Sequence, residues 1–105
     1  MTETRIHLLK SFIEEDPSDP FNFYVLALEY VKIGMHLEAH QLYDRLLASH
    51  PDYLPVYYHF GQLLEQTNQQ QKAIEIYIAG ERVAKVQSNI KTMNELRSAR
   101  ELLED

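Results

Sequence analysis

His36 and His40 stand four residues apart in the string His-Leu-Glu-Ala-His, a spacing that on a helix turns both imidazoles to one face and could hold a metal ion between them. Glu38 does not directly follow the first histidine, so the string is not the His-Glu-x-x-His arrangement in which glutamate acts as general base beside zinc. No third ligand is placed by spacing, and cysteine is absent, so neither a metal site nor a thiolate nucleophile is expected. A second cluster, Glu14, Glu15, Asp16 and Asp19, has the composition of an acid–base site. Paired carboxylates divide that work only where a cleft drives their pKa values apart. These four surround Pro17 at a helix end, and their expected role is solvation and capping of the next helix. There is no Gly-rich phosphate loop and no Ser-His-Asp set that spacing supports. The chain is expected not to be an enzyme and to need no cofactor.

The elements that carry these side chains are helices. Leu, Ala, Glu, Gln and Lys are frequent, while glycine and proline are few. One domain is expected from 105 residues, enough for a single core. The net charge of −6 argues against nucleic acid or an anionic membrane as partner. No apolar run approaches the roughly 18–20 residues that a membrane span needs. The first residues, Met1 to His7, lead straight into an amphipathic pattern with no apolar signal core, so a cytoplasmic setting is expected.

Aligned against itself, the sequence repeats with a period of 34 residues. Pro17 then meets Pro51, Phe23 meets Tyr57, Tyr24 meets Tyr58, Leu26 meets Phe60 and Ala27 meets Gly61. Gly34 meets Asn68, Ala39 meets Ala73, Leu42 meets Ile76 and Tyr43 meets Tyr77. The first unit reads Phe23-x2-Leu26-Ala27-x2-Tyr30, Ala39-x3-Tyr43, Pro51; the second reads Tyr57-x2-Phe60-Gly61-x2-Leu64, Ala73-x3-Tyr77. Small residues at 27, 39, 61 and 73 let two antiparallel helices approach closely, and a ring one turn away fills the space they open. Gly34 and Asn68 tolerate a left-handed helix terminus, which places a hairpin turn at each. Asp19 and Asp52 are the expected caps of the helices that begin with Pro20 and Pro55 in their first turns. The pattern predicts helices near 3–15, 20–33, 36–49, 53–67, 70–86 and 89–103.

These motifs resemble the tetratricopeptide-repeat family over residues 20–87. The resemblance implies an all-α fold of antiparallel helix hairpins, about six helices in a right-handed superhelix forming an α-solenoid. It divides a single domain, 1–105, into a degenerate N-terminal half-repeat helix (1–19), two repeats (20–53 and 54–87) and a C-terminal capping helix (88–105). In the half-repeat, Arg5 falls where Ala39 and Ala73 sit, so close pairing is expected to be lost there. In the last helix Ile90, Met93, Leu96, Ala99 and Leu103 share one face but leave the repeat register, and Lys85 replaces the proline that would stop the preceding helix.

Members of that family hold peptide segments of partner proteins on the first helix of each repeat. Carried over residue by residue, the groove would comprise Phe21, Tyr24, Leu28, Val31 and Lys32, then Tyr58, His59, Gln62, Glu65 and Gln66. Phe21, Tyr24, Tyr58 and His59 would form an aromatic strip suited to an apolar segment with a few hydrogen-bonding groups. Phe23, Tyr30, Tyr43, Tyr57 and Tyr77 are assigned to the core. The places where chaperone cofactors carry a basic clamp for a C-terminal carboxylate hold Tyr24, Leu28 and His59, so that ligand is not expected. Arg82, Lys85, Lys91, Arg97 and Arg100 are set against Glu95 alone in a stripe read as a solvated helix face. The leading expectation is a scaffold binding another protein or peptide. The alternative is a structural homo-oligomer, such as a homodimer, joined through the terminal helices should Leu102 stay exposed.

Overall fold

The computed structural model describes residues 2–104, which form six α-helices and, among the described residues, no strand. They are α1 (Thr2–Glu15), α2 (Pro20–Lys32), α3 (His36–Ser49), α4 (Pro55–Gln66), α5 (Gln70–Val86) and α6 (Ile90–Glu104). The helices expected from the repeat are all present, with boundaries within two residues. They assemble into two compact units, residues up to 53 and residues from 54 onward. In unit 1, α2 packs against both α1 and α3; in unit 2, α5 packs against both α4 and α6.

The turns follow from residues that accept positive φ. Gly34 (φ 79°) and Asn68 (φ 60°) end α2 and α4 as the sequence predicts. In each, the next amide reaches back a full turn, Met35 N to Tyr30 O at 2.9 Å and Gln69 N to Leu64 O at 2.8 Å, closing the last carbonyls of the helix. The same motif recurs at Ser88 (φ 58°), where Asn89 N donates to Ala84 O at 2.8 Å. The extension of α5 to Val86, anticipated from Lys85, therefore ends in a third hairpin turn. Asp19 caps α2 as expected, accepting from Phe21 N at 3.0 Å. Asp52 does not cap α4. That helix starts at Pro55, and its cap position is taken by Leu54, which is itself helical (φ −56°, ψ −41°), buried and without a side-chain cap bond. Asn89 is a cap that the sequence reading overlooked, accepting from Thr92 N at 3.0 Å.

Close approach decides the core. Ala27, Ala39 and Ala73 are completely buried, and the core rings Phe23, Tyr30, Tyr43, Tyr57 and Tyr77 are all buried as assigned. Gly61 has no room for a side chain: a Cβ there would lie 2.1 Å from Cε1 of Tyr77, whose ring covers the α4 backbone. Gly80 is a second such seat, where a Cβ would meet Tyr57 Cβ at 2.6 Å and Leu96 Cδ1 at 2.9 Å. That contact admits both α4 and α6 to the surface of α5.

The flanking helices are held by charge as well as packing. Arg5, in the slot expected to weaken pairing, sends Nε to within 3.0 Å of Glu29 Oε1 on α2, while Leu9 buries beside it. At the other end, Arg100 of α6 grips Glu81 of α5 with Nε donating to Oε2 at 2.6 Å and Nη2 to Oε1 at 3.1 Å.

Candidate functional site

Unit 2 carries a groove of about 790 Å³ between α4 and α6, over α5. From α4 come Tyr58, Gln62 and Glu65, at i, i+4 and i+7 on one helical face. α5 contributes Tyr77, and α6 supplies Lys91, Asn94, Glu95, Ser98, Ala99 and Leu102. The volume falls in the range typical of ligand sites, and the lining mixes an aromatic and aliphatic floor with separate polar groups.

Positioning of this face starts at Gly61. Because Tyr77 lies flat on it, the phenol runs along α4 and its O–H donates to Glu65 Oε2 at 2.5 Å. Burial first, and then the hydrogen bond and charge of Glu65, push the Tyr77 hydroxyl well above its ordinary pKa, so it stays a donor. Tyr58 leaves 37% of its surface exposed; its ring centre lies 6.3 Å from that of Tyr77 and 5.7 Å, edge-on, from that of His59. His59 is itself half-buried, and desolvation lowers its pKa and favours the neutral ring. Neither His59 nor the exposed Gln66 is among the groove-lining residues, whereas Tyr58, Gln62 and Glu65 are.

In unit 1 the five proposed residues lie along α2. Phe21 is 55% exposed, Tyr24, Leu28 and Val31 are half-buried, and Lys32 is exposed with Nζ 3.3 Å from Glu29 Oε2. Tyr24 makes a T-shaped contact with Tyr53, ring centres 5.6 Å apart. Burial is the main cause of its raised pKa, with Tyr53 second. Glu29 is 4% exposed and belongs to the interior of the unit, between Arg5 and Lys32. A cleft of about 410 Å³ in unit 1 opens between α1 and α3 over Phe23, Leu26 and Tyr30. Arg45 lies over the Phe23 ring there at 5.0 Å.

Two of the five charges read as a stripe on the last helices, Arg97 and Arg100, are paired internally. Arg100 is divided between Glu81 and Glu104, and Arg97 Nε is 3.8 Å from Glu81. His40 pairs with Asp44 on its own helix, Nε2 to Oδ2 at 3.2 Å. Among the described residues, no group of three or more His, Asp and Glu is arranged to hold a metal ion. The α6 side of the groove escaped the sequence reading. Its residues do form a helical stripe at 91, 95, 98 and 102, but α6 leaves the 34-residue register, so nothing in the repeat tells which face meets α4.

Comparison with known proteins gives one level of likeness in sequence and a wider one in shape. A tetratricopeptide repeat domain protein from Salinibacter ruber, solved in solution, is 37% identical over 85% of this chain and 90% of that one, with a TM-score of 0.81. The TPR2B domain of yeast Sti1, in a complex with pHsp70, superposes at a TM-score of 0.89 with 14% identity, over 98% of this chain and 82% of that one. SycD, the type III secretion translocator chaperone of Yersinia enterocolitica, reaches 0.87 with 13% identity, over 98% of this chain and 72% of that one. The last two share the fold. No family model matches the sequence, and no curated protein does.

Proposed function

This chain belongs to the tetratricopeptide-repeat family, and from that premise we propose that it is a protein-interaction scaffold which holds a peptide segment of a partner in the groove of unit 2. The observation that carries the reading is the pairing of an exposed ring, Tyr58, with fixed polar groups along a groove of about 790 Å³. Aromatic anchors supply much of the contact energy at recognition sites. Gln62, Asn94 and Ser98 bring hydrogen-bonding groups to the lining, where the backbone of a bound segment would need partners. His59 and Gln66 flank that segment, and Phe21, Tyr24, Leu28, Val31 and Lys32 offer the corresponding face of unit 1.

Support from shape comes from the complex of yeast Sti1 TPR2B with pHsp70 and from the translocator chaperone SycD. A C-terminal carboxylate is not the ligand proposed, since Tyr24, Leu28 and His59 stand where a basic clamp would be needed. The repeats are taken as 20–53 and 54–87, between flanks 1–19 and 88–105. No helix among the described residues is long and apolar enough to cross a membrane, and a cytoplasmic, non-catalytic role fits this reading.

A second copy of the chain is the rival occupant, favoured by Leu102, 77% exposed at the groove edge, and by exposed Ile90 on the same helix. Selection of a random dodecapeptide display library on the immobilised protein, with light scattering of the free protein, separates the two. The expected outcome is a monomer that enriches a peptide consensus, with binding at least tenfold weaker to Tyr58→Ala at unchanged helicity. Absence of enrichment together with a concentration-dependent dimer would assign the face to self-association.

A further inference from the structure

The groove of unit 2 has a charge preference as well as a shape. Resting on the peptide-binding reading above, we infer that it selects a segment carrying one basic side chain, arginine or lysine, whose cation seats between the Tyr58 ring and the Glu65 carboxylate.

Three features of the site converge on a cation. The first is a carboxylate already held in place. Glu65 Oε2 accepts the Tyr77 hydroxyl at 2.5 Å, and Tyr77 cannot swing away because it is packed on the bare backbone of Gly61. A charge-assisted bond of this kind orients the acceptor before any ligand arrives, so an incoming guanidinium or ammonium does not have to order it. The second is the aromatic wall beside it. Tyr58 and Tyr77 rings stand 6.3 Å apart, Tyr58 is partly open to solvent, and the face of such a ring attracts a cation. Tyr58 and Glu65 are seven residues apart on α4, roughly 10 Å along the helix axis. With Gln62 between them, that interval accommodates the stem and head of a long basic side chain.

The third is the balance of charge across the groove. Its ionisable walls are Glu65 and Glu95 against Lys91, within a chain of net charge −6. Lys91 lies in the first turn of α6, on the wall opposite α4, and it opposes the ligand's cation; Glu95, one turn on, offsets it. An acidic segment would meet two carboxylates in return for one ammonium. A purely apolar one would leave the ordered Glu65 facing hydrocarbon, which is unfavourable for a carboxylate that has lost water.

The test uses the strongest dodecapeptide from the display selection, synthesised with Arg, Gln, norleucine or Glu at its basic position and titrated into the full chain by calorimetry. The Arg peptide is expected to bind at least tenfold more tightly than the Gln and norleucine peptides, and the Glu peptide more weakly still. Glu65→Gln keeps an acceptor for Tyr77 and is expected to reduce the Arg-over-Gln ratio to below threefold. Lys91→Gln is expected to strengthen the Arg peptide two- to fivefold. Selected peptides that bind through Tyr58 without a basic residue, or an Arg-over-Gln ratio unchanged by Glu65→Gln, would overturn the charge preference and leave the peptide groove standing. If no peptide is enriched at all, both readings fall together.

Discussion

Units 1 and 2 solve one problem with different amounts of precision. Each is a central helix with a neighbour on either side, and each fastens its flanking helix with an arginine that reaches a glutamate of the central helix. In unit 1 the link is a single approach of Arg5, whose side chain is mostly exposed, to Glu29, which Lys32 also neutralises. In unit 2 it is a two-pronged grip of Arg100 on Glu81, backed by fully buried Leu96 against Gly80. The clefts differ accordingly. Unit 1 has an apolar floor rimmed by Lys10 and Arg45 against Glu14 and Glu38, a balanced set, whereas the groove of unit 2 has an excess of carboxylate and a hydroxyl-anchored Glu65. The lesson is that tight helix seats come first. Where glycine admits close approach, a ring can be locked, and a locked ring can hold a polar group ready for a ligand.

The sharpest way to break this comparison is at the repeat position shared by Ala27 and Gly61. Gly61→Ala puts a methyl group 2.1 Å from the Tyr77 ring. The gain in helix propensity, about 1 kcal/mol, is smaller than overpacking of about 1–3 kcal/mol when the neighbour is a buried ring with no free space. The melting temperature is expected to fall by roughly 5–10 °C, and peptide binding to weaken with it as Tyr77 is displaced. A melting temperature equal to or above wild type would show that Tyr77 yields freely and that the seat is not rigid.

Comparable in size is the contrast between the two arginines. Arg100→Met removes two charge-assisted bonds and leaves Glu81 largely buried with only the longer contact to Arg97, an expected loss of about 1–3 kcal/mol. Arg5 is itself mostly exposed and Lys32 stays within 3.3 Å of Glu29, so Arg5→Met is expected to lose less than Arg100→Met. Urea denaturation of both variants measures the difference, and equal losses would remove the asymmetry between the flanks.

The smallest effects belong to the turns. Ser88 holds a positive φ that costs an L-residue about 1–2 kcal/mol, while Gly34 occupies the same motif in unit 1 without that penalty. Ser88→Gly is expected to raise stability by up to about 1 kcal/mol, and Gly34→Ser to lower it by a similar amount. Denaturation midpoints read both, and a Ser88→Gly variant that loses stability would mean the Ser88 side chain contributes something its backbone strain conceals.

Much of this molecule is legible from residue types alone. Proline and aspartate before α2, the left-handed residues at 34 and 68, and the alternation of small residues with rings each act through a local backbone preference or a volume. Such effects are fixed by sequence spacing, so helix order, two of the turns and the core rings follow from it. The groove residues Tyr58, Gln62 and Glu65 share a face for the same reason, since a helix determines which of its own residues are neighbours. Other features required the tertiary structure. The burial of Glu29, the grip of Arg100 on Glu81 and the approach of Tyr77 to Glu65 join different helices, and no periodicity within one helix specifies its rotation against another. The α6 wall of the groove is the clearest case, because outside the repeat register the packing of Leu96 on Gly80 and the grip of Arg100 on Glu81 decide which side of that helix turns toward α4.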